Sequence, residues 1–205
     1  EFGMAYVEKF RQGRPVQYLV FLRGTRSAKR MWLPNGFTLK REDIIPYPEE
    51  PKSLSIEAAL HRGAGCRFVT IALGGLPDCL GMGRVATPFS DAPDQLWRDA
   101  FLITTTYASV YLVLPEKSEG LLWELEQLIQ CGLIAKCVFV MVPTAVDASA
   151  SRAWDACMKT FAQNRMTTTA YRENGAFLSF EKGGKIRESR GFEGLFAGEL
   201  AAMLE

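Results

Sequence analysis

The chain has 205 residues, 48% of them apolar and 23% charged, enough to bury one good core and too apolar for an intrinsically disordered segment. Its 24 Lys and Arg balance 23 Asp and Glu. That near-neutrality removes the electrostatic case for a nucleic-acid partner, which needs a clustered basic surface to displace counterions from phosphates.

In chain order, Glu1-Phe2-Gly3 ahead of Met4 has the form of a cloning scar, and 1–15 is expected as a leader before a single domain over 16–205. The apolar run 16–22 is expected as the first strand. The stretch 24–52 holds Pro34, Pro46, Pro48 and Pro51 and no convincing element, so it is a lid, a partner surface or a disordered insert. A helix is expected over 53–62 and a strand over 67–73, after which 74–89 again lacks an element. A helix over 90–107 opens Ser-Asp-Ala-Pro-Asp and repeats apolar residues at Leu96, Trp97, Phe101 and Ile103. Strands over 109–114 and 137–142 flank a helix at 120–131, and a further helix at 149–165 carries Trp154, Cys157, Met158 and Phe161 at helical spacing. The segment 150–205 extends the domain, with a strand over 175–181, a Gly183-Gly184 turn and a closing amphipathic helix over 192–204.

The four main apolar runs lack in/out alternation, as strands buried on both faces do, and they alternate with helices. The expected fold class is α/β, a doubly wound, mainly parallel sheet of flavodoxin-like kind with a C-terminal strand and helix extension. No apolar run approaches bilayer-spanning length. The cysteines (Cys66, Cys79, Cys131, Cys137, Cys157) form no CxxC pair, so a reducing, cytoplasmic setting is expected. Asp78, Asp91, Asp94 and Asp99 lack metal-site spacing and are expected as turn and cap residues, so no metal site is expected. The lone histidine, His61, is expected at a partly buried helix end.

Ligands of doubly wound sheets bind beyond the carboxyl ends of the strands, which selects 23–30, 74–83, 116–124 and 143–147. In the third stretch Leu121, Leu122, Leu125, Leu128 and Ile129 share one helix face, with Glu124 at its edge and Trp123 pointing away. Glu124 is either a partly desolvated functional carboxylate moderated by the helix N-terminus or a first-turn acid of the ordinary kind. Trp123 is expected to pack. The glycines at 74–75, 81 and 83 do not match GxGxxG and are expected as a turn.

The strand and loop from Tyr18 to Arg26 resemble the first box of Toll/interleukin-receptor (TIR) domains, and Ser118-x-x-x-x-x-Glu124-Leu125 keeps the spacing of their Ser-x-Trp-Cys-x-x-Glu-Leu pattern. Gly120 and Leu121 stand where that pattern has Trp-Cys. The chain is more similar still to TIR-like cytoplasmic domains of bacterial membrane-associated proteins, through Phe21-Leu22-Arg23, the Gly-Leu-x-Trp-Glu-Leu-Glu helix of 120–126 and the later aromatic strand with its Gly turn. The resemblance implies a signalling or defence domain, with one of two roles. In one, Glu124 is the catalytic group that cleaves or cyclises NAD at the nicotinamide–ribose bond, NAD being substrate and no cofactor being needed. Arg23, Gly24 and Arg26 then lie near the phosphates, and Ser118 positions the glutamate or caps its helix. In the other, the domain is a non-catalytic module. Like TIR domains are the implied partners on activation, and a membrane tether can lie outside these 205 residues.

Overall fold

The computed structural model describes residues 18–22, 69–73, 84–87, 98–99, 101–103, 105, 108–193 and 199–204. The helix expected over 53–62, His61 and the site residues Arg23, Gly24 and Arg26 lie outside them.

Seven strands form one mixed sheet: β1 (Tyr18–Leu22), β2 (Val69–Leu73), β3 (Arg84–Thr87), β4 (Val110–Val113), β5 (Cys137–Met141), β6 (Ala176–Phe180) and β7 (Ile186–Gly191). Their spatial order is β3-β2-β1-β4-β5-β6-β7. The first five run parallel, whereas β6 is antiparallel to β5 and to β7. Every residue of β4 and β5 is buried, as expected of interior parallel strands with both faces covered.

Three helices are described: α1 (Glu119–Gln130), α2 (Ala150–Gln163) and α3 (Glu199–Leu204). Residues 98, 99, 101–103 and 105 are also helical. Because successive strand residues point to opposite faces, the core divides in two. Val20, Leu22, Tyr111 and Val113 meet Leu121, Leu125 and Leu128 of α1 and Trp154, Cys157 and Phe161 of α2. Leu19, Phe21, Val110 and Leu112 share the other core with Leu200 and Met203 of α3. Helices therefore cover both faces, the layered arrangement of an α/β fold. No helix among the described residues is long and apolar enough to cross a membrane.

Two findings correct the expectations. Strand β3 lies in the stretch 74–89 expected to be without an element, so two strands rather than one lie beyond β1. Its four residues are too few to show a period, and glycines precede it. Strand β7 was likewise not expected, and β7, not β6, forms the edge of the sheet. Its one large apolar residue is Ile186, and the backbone pairing with β6 holds it, while Arg190 pairs with Glu188 at 2.8 Å. Charges of this kind protect an edge from further pairing.

Candidate functional site

The chain leaves β1 toward β2 on one side and β4 toward β5 on the other, so β1 and β4, paired from Leu19↔Val110 to Leu22↔Val113, flank the point where the winding reverses. Crevices for ligands open beyond the carboxyl ends of such a strand pair. The chain after β4 runs from Leu114 to Ser118 and enters α1. Ser118, in extended conformation, caps that helix: its Oγ accepts from the Leu121 N–H at 3.3 Å and its carbonyl from Leu122 N–H at 3.1 Å. Of the two expected parts for Ser118, the cap is the one made.

Glu124 lies six residues further on and is only 3% exposed. With Leu121, Leu125 and Leu128 it forms the buried stripe of α1, so it sits within the core-facing side and not merely at its border. Burial raises its carboxyl well above the ordinary 4.5, because removal from water disfavours the charged form. Glu124, Thr160 and Ser179 are the buried polar or charged side chains among the described residues. Thr160 Oγ1 donates to the Ala156 carbonyl and Ser179 Oγ accepts from Arg187 Nε, both at 3.4 Å. For Glu124 no donor or cation is found among the described residues.

Trp123 packs, as expected: its ring meets Phe101 edge-on at 5.6 Å, and the Arg98 guanidinium lies 5.1 Å above it. The loop before α1 is fixed from α2. Cys157, buried at the centre of that helix, has its thiol pushed up to about 12 by burial, partly offset because the sulfur accepts from the backbone N–H of Glu116.

Of the four stretches selected from the sequence, 23–30 and 74–83 lie outside the described residues; the one after β5 reaches a recess through Asp147, whereas the one after β4 comes no nearer to it than the adjoining Pro115. Pro115, Val140, Met141, Val142, Asp147, Ala150 and Trp154 line this recess of about 10 Å³, room for one water and not for a sugar. Glu124 is not among its lining residues. The β5 side is also strapped. Trp154 Nε1 donates to the Thr169 carbonyl at 2.8 Å, the Tyr171 hydroxyl to the Val142 carbonyl, and the Arg172 N–H to Met141 Sδ at 2.8 Å. Gly175 completes the strap with φ +73°, and a Cβ there would stand 2.6 Å from the Met141 carbonyl. Sequence reasoning missed this strap, whose one advance signal is a core tryptophan whose indole N–H needs an acceptor.

No known protein family, characterised protein or solved structure matches the chain.

Proposed function

We propose that this chain is a TIR-like domain of flavodoxin-like fold that cleaves or cyclises NAD at the nicotinamide–ribose bond, with Glu124 as the catalytic residue. The observation that carries the reading is a carboxyl 3% exposed with no partner among the described residues. Such a group lowers stability, so a fold that keeps it gains something else from it. It also follows the strand at the winding reversal, on a helix whose start is fixed by the Ser118 cap.

The chemistry suits one acid. As the C1′–N bond breaks, its electron pair neutralises the nicotinamide nitrogen and leaves positive charge on the ribose. A carboxylate beside that centre stabilises it until water or a hydroxyl adds and loses a proton. Because nicotinamide departs neutral, no strong general acid is required. Arg23, Gly24 and Arg26, just past the end of β1 in sequence, are assigned to the phosphates.

Nicotinamide release from NAD at high protein concentration is the test. The parent chain is expected to turn over and Glu124→Gln to lose at least about 100-fold, the scale of a single charge-stabilising group. Equal release by both proteins overturns the assignment.

A second reading, a non-catalytic module that assembles with its own kind, is favoured by one observation. Ile103 is 64% and Leu102 41% exposed, side by side on one surface helix. Concentration-dependent sedimentation that Ile103→Asp abolishes, together with no nicotinamide release, is the result this reading expects.

A further inference from the structure

The asparagines of the chain are Asn35, Asn164 and Asn174, and the first and last of them precede glycine. Asn35-Gly36 lies outside the described residues, and Asn164 donates its carboxamide N–H to the Thr160 carbonyl at 2.9 Å. Asn174 is different. It is exposed in the turn that ends the strap over β5, its carboxamide has no hydrogen-bond partner among the described residues, and the glycine after it is buried. An Asn-Gly pair reacts with itself. The glycine nitrogen, with no Cβ beside it to shield it, attacks the side-chain Cγ: the N–Cγ bond forms, the Cγ–Nδ2 bond breaks, and ammonia leaves with the proton of the backbone N–H. Solvent water then opens the cyclic imide. Opening at Cγ gives aspartate, and opening at the main-chain carbonyl gives isoaspartate, whose backbone runs through the former side chain and is longer by a methylene.

The strap stands in the way of that reaction. The Gly175 N–H donates to the Arg172 carbonyl at 2.8 Å, so the nucleophile is engaged inside the turn. The Glu173 carbonyl accepts from the Thr144 N–H at 3.0 Å and from Thr144 Oγ1 at 3.3 Å. Gly175 is wedged as well: a Cβ on it would lie 2.6 Å from the Met141 carbonyl oxygen and 2.7 Å from Pro143 Cδ, which leaves the peptide between 174 and 175 no room to swing toward Cγ. Tyr171 and Arg172 fasten the preceding residues to Val142 and Met141. Ring closure needs the reacting atoms aligned and at attack distance. The strap must therefore open first.

We propose that Asn174-Gly175 is a self-modification site latched by the strap: the amide survives while the strap is closed, is lost through the imide when it opens, and leaves an isoaspartate over which the strap does not close again. The added methylene moves Gly175 off its place against Met141 and Pro143, where there is no slack to absorb it. An opening that ends in reaction is thereby recorded in the covalent chain, and the end of β5 beside the recess stays unfastened.

The test is incubation of the whole chain at mildly alkaline pH, folded and in denaturant, followed by mass analysis of the tryptic peptide 173–182, with fragment ions that separate isoaspartate from aspartate. The peptide 31–40, which carries Asn35-Gly36, reports the reactivity of an Asn-Gly pair in the same denatured sample. Asn174 is expected to react in denaturant at a rate comparable with Asn35, and at least about tenfold more slowly in the folded chain, where only the open fraction reacts. Tyr171→Phe and Thr144→Val each remove one bond of the strap and should raise the folded-chain rate at least about threefold while leaving the denatured rate unchanged. The purified isoaspartate chain should exchange the Thr144 and Gly175 amide hydrogens at least about tenfold faster than the parent, and Asn174→Asp, which has the charge without the methylene, should exchange them as the parent does.

Equal rates at Asn174 in the folded and denatured chain, no reaction there in denaturant, or a folded-chain rate that neither variant moves overturns the latch. Parent-like exchange in the isoaspartate chain, or exchange in Asn174→Asp as fast as in the isoaspartate chain, overturns the claim that the longer backbone keeps the strap open.

Discussion

Helices α1 and α2 pack side by side on the same face of the sheet, yet they treat buried polarity differently. On α2 the indole of Trp154, the hydroxyl of Thr160 and the thiol of Cys157 each have a hydrogen-bond partner. On α1 the deepest polar group, Glu124, has none among the described residues. The first pattern is how a fold protects its stability. The second lowers stability, so the two helices differ in what their buried polar groups contribute to the fold.

The comparison breaks most readily at Trp154. Truncation to Ala removes its edge contact with Phe139 at 6.3 Å, its hold on the Thr169 carbonyl and one wall of the recess. A loss of about 3 to 5 kcal/mol in chemical denaturation is expected. A loss below about 1 kcal/mol means that α2 is not the structural member of the pair.

On α1 the expected sign reverses. Glu124→Leu replaces a desolvated acid by an apolar side chain of similar size and should stabilise the fold by about 1 to 3 kcal/mol at pH 7 while abolishing the nicotinamide release proposed above. The pH dependence sharpens this. The folded-state carboxyl titrates well above 4.5, its ordinary value. Below pH 4.5 both folded and unfolded chains hold the proton, and Glu124 imposes no pH-dependent penalty. As pH rises the unfolded chain ionises first, so stability falls by up to about 1.4 kcal/mol per pH unit until the folded carboxyl also titrates. The Leu variant should lack this slope, and its advantage should grow from pH 4.5 to 7. Denaturation curves that stay parallel across that range refute the account of Glu124 as a buried neutral acid.

How far the sequence made these features legible follows the same physics. Strands β4 and β5 stand out because burial on both faces demands unbroken apolar runs, and α1 and α2 because their apolar residues recur at helical spacing. Strand β7 is invisible to that test: backbone pairing and charge define an edge strand, not hydrophobic period. The residues of the site divide similarly. Ser118 and Glu124 are readable because a cap and its helix are local in sequence. The depth of Glu124 is not, because it depends on how α1 rolls onto the sheet. The strap over β5 could not be foreseen, since Thr169 and Tyr171 find their partners across gaps of 15 and 29 residues.

The smallest expected effect concerns how the two helices begin. Ser118 caps α1 through its own hydroxyl, whereas Ser149, at the start of α2, makes no such bond and donates its hydroxyl to Asp147 at 2.7 Å. Ser118→Ala leaves the Leu121 N–H without its acceptor in a half-buried place and should lose about 1 kcal/mol, with faster exchange of that amide. Ser118→Asp should restore the cap and add a favourable charge at the helix N-terminus. Ser149→Ala removes no capping bond, so its effect should be the smaller of the two. If the two Ala variants lose the same stability, the extra fixing of α1 is illusory. If Ser118→Ala is the larger, the helix that holds the desolvated carboxyl is also the one whose first turn is pinned, the arrangement that the role proposed for Glu124 calls for.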